Sequence, residues 1–182
     1  MQTSFILECR GTNNVVIVQE AVHYISKSKK ADGYCAIKLD LEKAYDKLEW
    51  SFIREALYHF DIPLSLSKVI MKCISTSRLA VLINGSPAEW IYLWRQIRQK
   101  NPISLDIFLI CIEFLSLSIQ QAAEQKKRKA LKMGRNGPII SHCMFANDVI
   151  LFSRCMDSSI LEVKKVLDNF CLRFGLAITL EK

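Results

Sequence analysis

The chain is poor in the residues that break a sequence into pieces. It has 6 glycines and 4 prolines in 182 residues, and they are scattered. No Pro/Gly-rich linker, internal repeat or low-complexity tract appears, which excludes a repeat array or a fibrous protein and makes one compact domain the expectation. Its 7 cysteines include no C-x-x-C pair and no Cys/His cluster. That excludes a zinc module or a disulfide scaffold and leaves the reduced thiols of an intracellular protein, nuclear or cytoplasmic. No basic segment leads into an apolar core and a small-residue cleavage site, so no secretory leader is expected. The longest apolar run, "IFLICIEFLSLSI", is shorter than a membrane span and contains Glu113. It reads as a core helix, and no membrane partner is expected.

What is present is apolar residues, 51% of the chain, enough for one sizeable core. The charge is +7, from 25 Lys and Arg against 18 Asp and Glu. That excess permits a polyanionic partner without requiring one. The one dense basic run, "QKKRKALKMGR" at 125–135, suits either a phosphate backbone or a solvated helix end.

Periodicity orders the rest. "GYCAIKLDL" alternates, with Cys35, Ile37, Leu39 and Leu41 on one face, and reads as a strand with Asp40 at its end. "EKAYDKLEWSFIREALYHF" places Leu48, Phe52, Ala56 and Phe60 on one helical stripe, with Glu42 and Asp46 near its start. Pro63 opens a second helix to about Ser75, and "RLAVLING" reads as a strand ended by the turn "NGSP". Asn101 before Pro102 signals a helix start, and that helix runs to about Glu124. Two apolar runs, "IISHCMF" and "VILFS", meet at Ala146, Asn147 and Asp148 in hairpin patterning. "SSILEVKKVLDNFCLRFG" carries a capping box, Ser159 and Glu162, and ends at Gly175, with a final strand "LAITL" after it.

These elements predict an α+β fold: an antiparallel sheet covered on one face by helices, with Asp40 at one strand end and Asp148 at a neighbouring hairpin tip. Carboxylates gathered at adjacent strand ends hold hard divalent cations. The rival reading is a plain hairpin turn, since Asn and Asp both tolerate turn geometry.

The stretches "AIKLDLEKAYDKLEW", "RQIRQKNPISLDIFLICIEFLS" and "HCMFANDVILFS", in that order, resemble the three central motifs of the reverse transcriptases of LINE-type non-LTR retrotransposons, particularly plant ones. "QTSFI", "VLINGSP" and "GLAITLEK" resemble flanking segments, so the likeness covers essentially the whole chain. The resemblance implies a single partial domain over 1–182, with a fingers remnant at 1–33 and, from 34 onward, mostly palm with inserted fingers elements. It implies a palm with partial fingers and no thumb. The implied activity is RNA-directed DNA synthesis with two magnesium ions, on an RNA template, a DNA primer and deoxynucleoside triphosphates.

Residue by residue, Asp40 and Asp148 match metal-binding carboxylates, with the Leu41 carbonyl as a further ligand. Tyr45 matches the aromatic that lies against the sugar, or else simply packs on the core. Phe145 matches the aromatic that opens the third motif. Arg98 and Gln99 match substrate contacts, and Lys182 matches a lysine that acts as general acid. Asn147 stands where the family has a second catalytic carboxylate; an amide loses the charge and cannot bridge two cations. Gln96 and Lys100 stand where the family has glycines, which matters if either position needs positive φ. Asn13 and Asn101, like Asn147, replace Asp, a change that one G-to-A transition produces in a silenced element. The expectation is a polymerase with little or no activity. The alternatives are a non-catalytic nucleic-acid-binding remnant and an unexpressed pseudogene product.

Overall fold

The alternation in 34–41 becomes a strand because one side chain in two can turn to the core, where Leu39 and Leu41 are buried, while Ala36, Lys38 and Asp40 stay exposed. The computed structural model describes residues 11–27, 33–41, 43–145 and 147–176. In chain order the first elements are α1 (Gly11–Lys27), β1 (Tyr34–Asp40), α2 (Ala44–Lys47), α3 (Trp50–His59) and α4 (Leu64–Ser75). Four two-residue strands follow: β2 (Arg78–Leu79), β3 (Leu82–Ile83), β4 (Ser86–Pro87) and β5 (Ile91–Tyr92). Then come α5 (Pro102–Glu124), β6 (Leu131–Lys132), β7 (Ile139–Ile140), β8 (His142–Phe145), β9 (Asp148–Arg154) and α6 (Asp157–Phe174). The described residues form two compact units, Lys43–Cys111 with Arg173–Leu176 in one, and those up to Leu41 with Ile112–Leu172 in the other.

The latter unit is built on a three-stranded antiparallel sheet in the order β1-β9-β8. β1 pairs with β9 from Tyr34↔Arg154 to Asp40↔Asp148, and β8 pairs with β9 from His142↔Leu151 to Phe145↔Asp148. Leu39, Val149, Leu151 and Met144 are buried. On α6, Val163, Leu167 and Phe170 recur at helical spacing and are buried. The sheet is not bare on its other face, as the sequence pattern had suggested. Ala21 of α1 joins Leu131, Cys143 and Phe152 in a second core, with Val18, Tyr24, Ile25 and Ile150 packed against it. The buried Asn14 ties α1 to the sheet, its Nδ2 donating to the Met144 carbonyl at 2.9 Å.

The basic run is not wholly solvated either. Arg128 is 2% exposed. Its guanidinium donates to the carbonyls of Ile119 (3.3 Å), Phe152 (3.1 Å) and Ser141 (3.4 Å), joining α5 to β9 and to the link between β7 and β8. Burial lowers its pKa to about 10, so it stays charged at neutral pH. His142 is buried between Ser116 Oγ at 2.9 Å and Ser141 Oγ at 2.7 Å. Burial, with Arg128 nearby, lowers its pKa to about 3.

In the other unit the single helix expected over 42–60 is broken. Leu48 takes an extended backbone at φ −61°, ψ 117° as the C-cap of α2, and α3 begins at Trp50. The break frees Leu48 to accept the Gln96 N–H at 2.8 Å, a bond a continuous helix would forbid. The expected strand 78–83 is also split, since Leu79 pairs with Ile91 while Leu82 pairs with Pro87. Asn84 (φ 51°) and Gly85 (φ 81°) form the tight turn that "NGSP" signals.

α5 starts as Asn101 and Pro102 predict, with Asn101 Oδ1 accepting the Ile103 N–H at 3.3 Å. It is the described helix long and apolar enough to cross a membrane, yet Ile107, Phe108, Cys111, Ile112, Leu115, Ile119 and Ala122 are buried, as a core helix requires. The capping box at Ser159 does not form. α6 begins earlier, at Asp157, and Ser159 is buried inside its first turn, where Oγ accepts the Lys129 N–H at 3.4 Å. Gly175 ends α6 with φ 85°, and a Cβ there would meet the Lys47 carbonyl oxygen at 2.7 Å, so glycine is required. The final strand expected after it lies outside the described residues.

Candidate active site

The sheet register gathers the acidic residues. Asp40 and Asp148 are direct cross-strand partners, and Asn147 lies in the turn next to them. The Leu41 N–H donates to the Asn147 carbonyl at 3.2 Å, extending the ladder to the loop, and Leu41 is buried, which holds the end of β1 rigid. Phe145 is exposed opposite Asp148. The structure therefore brings together Asp40, Leu41, Phe145, Asn147 and Asp148.

Two carboxylates facing each other across a ladder repel. Here each has its own compensation. Asn147 Nδ2 donates to Asp40 Oδ1 at 3.0 Å. Lys38, on the same face of β1 and two residues before Asp40, holds its Nζ 3.6 Å from Asp148 Oδ1. Lys38 gave no signal in the sequence beyond its place in the alternation. Only the register shows that it points toward the acidic pair.

This donor set does not fit a two-ion centre. Such a centre needs carboxylate oxygens that can bridge the cations. At position 147 an amide N–H is turned toward Asp40 instead, and an ammonium group faces Asp148. Among the described residues, no group of three or more His, Cys, Asp or Glu side chains is placed to hold a metal ion. Asp40 and Asp148 retain the oxygen chemistry a hard cation needs, but they are only two.

Tyr45, Arg98 and Gln99 belong to the other unit. The Tyr45 ring stacks on Phe108 with centroids 4.6 Å apart and 19° between planes, and burial raises its hydroxyl pKa. Phe108, itself buried, thus fixes the ring. The Tyr45 carbonyl accepts the Ile97 N–H at 2.9 Å, and Trp50 Nε1 donates to the Gln96 carbonyl at 2.8 Å. These bonds pin the segment leading to Arg98 and Gln99, which are exposed. Gln96 and Lys100, the two positions where glycine was expected, have φ of 78° and 64°. Lys182 lies outside the described residues.

A three-stranded antiparallel sheet with an acidic pair at a hairpin tip, backed by helices, is the α+β architecture of a reverse transcriptase fold. Residues 5–182 match the family described as reverse transcriptase (RNA-dependent DNA polymerase), and the chain belongs to that family. Two curated relatives are similar in sequence. One is an uncharacterised mitochondrial protein of Arabidopsis thaliana, 36% identical over 70 residues, covering 38% of this chain and 57% of that protein. The other is the retrovirus-related Pol polyprotein from type-1 retrotransposable element R2 of Popillia japonica, 25% identical over 176 residues, covering 94% of this chain and 27% of that one. The chain thus spans less than two thirds of either. Among solved structures, apo telomerase of Candida tropicalis superposes with a TM-score of 0.61 at 13% identity over 93% of this chain and 31% of that one. Its form truncated from the C-terminal domain gives 0.63 at 12% identity, over 98% and 34%. At such identities the likeness shows a shared fold.

Proposed function

We propose that this chain is the reverse transcriptase domain of a non-LTR, LINE-type retroelement in which polymerase chemistry is disabled at the hairpin tip while nucleic-acid binding persists. The observation that carries the reading is the bond from Asn147 Nδ2 to Asp40 Oδ1. A carboxylate in place of that amide would repel Asp40 and need cations to hold the three acids together. The amide removes that need, and with it the capacity to bridge two magnesium ions. In such a site the ions would activate the primer hydroxyl and stabilise the phosphoryl transition state. Asp40 and Asp148 would be their remaining ligands and Phe145, on the same sheet, would touch nucleotide or template; in the other unit Tyr45, Arg98 and Gln99 keep the substrate-contact roles that the family resemblance implies. Changes around a metal's ligands already cost about 10 to 100-fold, so loss of a ligand costs more.

The test is primer extension on an RNA template with deoxynucleoside triphosphates and magnesium. The native chain is compared with a variant carrying Asn147→Asp, Lys100→Gly and Asn101→Asp, and with that variant after Asp40→Asn. The native chain should extend no primer and the triple variant should regain extension that Asp40→Asn abolishes. Extension by the native chain at the rate of the triple variant would overturn the proposal.

A further inference from the structure

Residues 81–92 are all exposed, although the stretch contains Val81, Leu82, Ile83, Trp90, Ile91 and Tyr92. The small β2–β5 ladder sorts the side chains nearby onto two faces. Leu79 pairs with Ile91, and Arg78 pairs with Tyr92. Because neighbours on a strand alternate, the first pair makes an aliphatic face and the second lies on the opposite one. On that second face the Arg78 guanidinium lies over the Trp90 ring, 4.8 Å from its centroid. Just beyond β5, Arg95 repeats the motif over Trp94 at 4.7 Å. Trp90 is 53% exposed, Tyr92 74% and Trp94 66%.

From this arrangement we infer a second binding site: Trp90, Tyr92 and Trp94, with Arg78 and Arg95, form a stacking platform for single-stranded nucleic acid. Aromatic rings presented with guanidinium groups suit a strand whose bases stack and whose phosphates need cations. The charge is complementary: between Thr76 and Lys100 the basic residues are Arg78, Arg95, Arg98 and Lys100, and the one acid is Glu89. The platform is anchored at one end, since Arg95 forms a β-bridge with Glu49 and Gln96 is bonded to Leu48 and Trp50. Anchoring of this kind lowers the entropy lost when a ligand orders the rings. A strand bound here would be gripped without regard to base identity, because every base has a stacking face.

The assignment rests on reading the chain as a nucleic-acid-handling domain, and the experiment separates the two. Anisotropy of labelled oligo-dT and oligo-U is measured with the full chain and with Trp94→Ala, Tyr92→Ala, Trp94→Phe and Arg78→Gln, each checked by circular dichroism. The exposed positions leave folding intact. Each alanine variant should weaken single-strand binding by about 5- to 150-fold, the range for loss of one base–aromatic stack, while Trp94→Phe retains most of it. Arg78→Gln should lower the slope of log affinity against log salt by about one. Duplex affinity should change little. If the native chain binds the strands and the alanine variants bind them equally well, the platform is overturned while the proposed function stands. If the native chain binds no nucleic acid, both fall. If the alanine variants alter only the sedimentation of the chain, the face joins protein copies and the inference is wrong.

Discussion

The two left-handed residues in the middle motif allow a quantitative test. Gln96 and Lys100 have φ of 78° and 64°, where a Cβ crowds the backbone at a cost of about 1–2 kcal/mol per residue. Glycine removes that cost but loses about 0.5–1 kcal/mol more conformational entropy on folding than other residues. The hydrogen bonds of Gln96 run through its backbone N–H and carbonyl, which glycine keeps. Lys100 is exposed and buries little surface. The double variant Gln96→Gly, Lys100→Gly should therefore be more stable by about 1–2 kcal/mol, against the usual expectation for glycine. For a chain of this size that is a rise in Tm of about 2–8 °C. Urea denaturation should show a higher midpoint at unchanged slope. An unchanged or lower midpoint would refute the argument that these positions store strain.

Other outcomes can be checked on the same preparation. With Asn147→Asp, a third carboxylate meets Asp40, so Tm should fall in EDTA and recover in millimolar magnesium, whereas the native chain should barely respond to either; calorimetry with and without the ion decides it. His142 is neutral in the fold, with its pKa lowered to about 3 by burial, while the unfolded chain takes up a proton near pH 6.5. Its contribution is thus complete above pH 6.5 and lost as pH falls toward 3, by about 1.4 kcal/mol at pH 5.5. Urea midpoints at pH 7.5 and 5.5 should show that loss, and His142→Gln should reduce it. Arg128→Leu removes three charge-assisted hydrogen bonds to the carbonyls of Ile119, Phe152 and Ser141 and should cost about 2–4 kcal/mol, read as a lower urea midpoint.

Some of the site was legible in the residues themselves. The alternation of 34–41 and the polar pair within two apolar runs point to a strand end and a hairpin tip carrying carboxylates, and Asp40 does face Asp148. The Asn101–Pro102 start and the Gly175 stop of the long helices follow from local capping chemistry. The division of 42–60 into α2 and α3 was not legible, because the bond from Gln96 to Leu48 that stabilises it comes from beyond α3, α4 and the four short strands β2 to β5. Ser159 and Glu162 have the spacing of a capping box, but a tertiary partner, Lys129, takes the Ser159 hydroxyl. The basic run hid a buried arginine, since nothing in its neighbours shows which guanidinium turns inward.

The sequence by itself determined most of the strands and long helices and the family, and it raised the expectation that an amide at Asn147 stands where the family has a carboxylate, because these depend on periodicity, capping and residue identity within a few positions. Only the tertiary structure decided that Lys38 compensates Asp148, that the Asn147 amide is spent on Asp40, and that Gln96 and Lys100 are left-handed. Those facts depend on strand register and on hydrogen bonds between residues far apart in the chain. A one-residue slip of β1 against β9 would reverse which side chains meet while leaving every local preference satisfied.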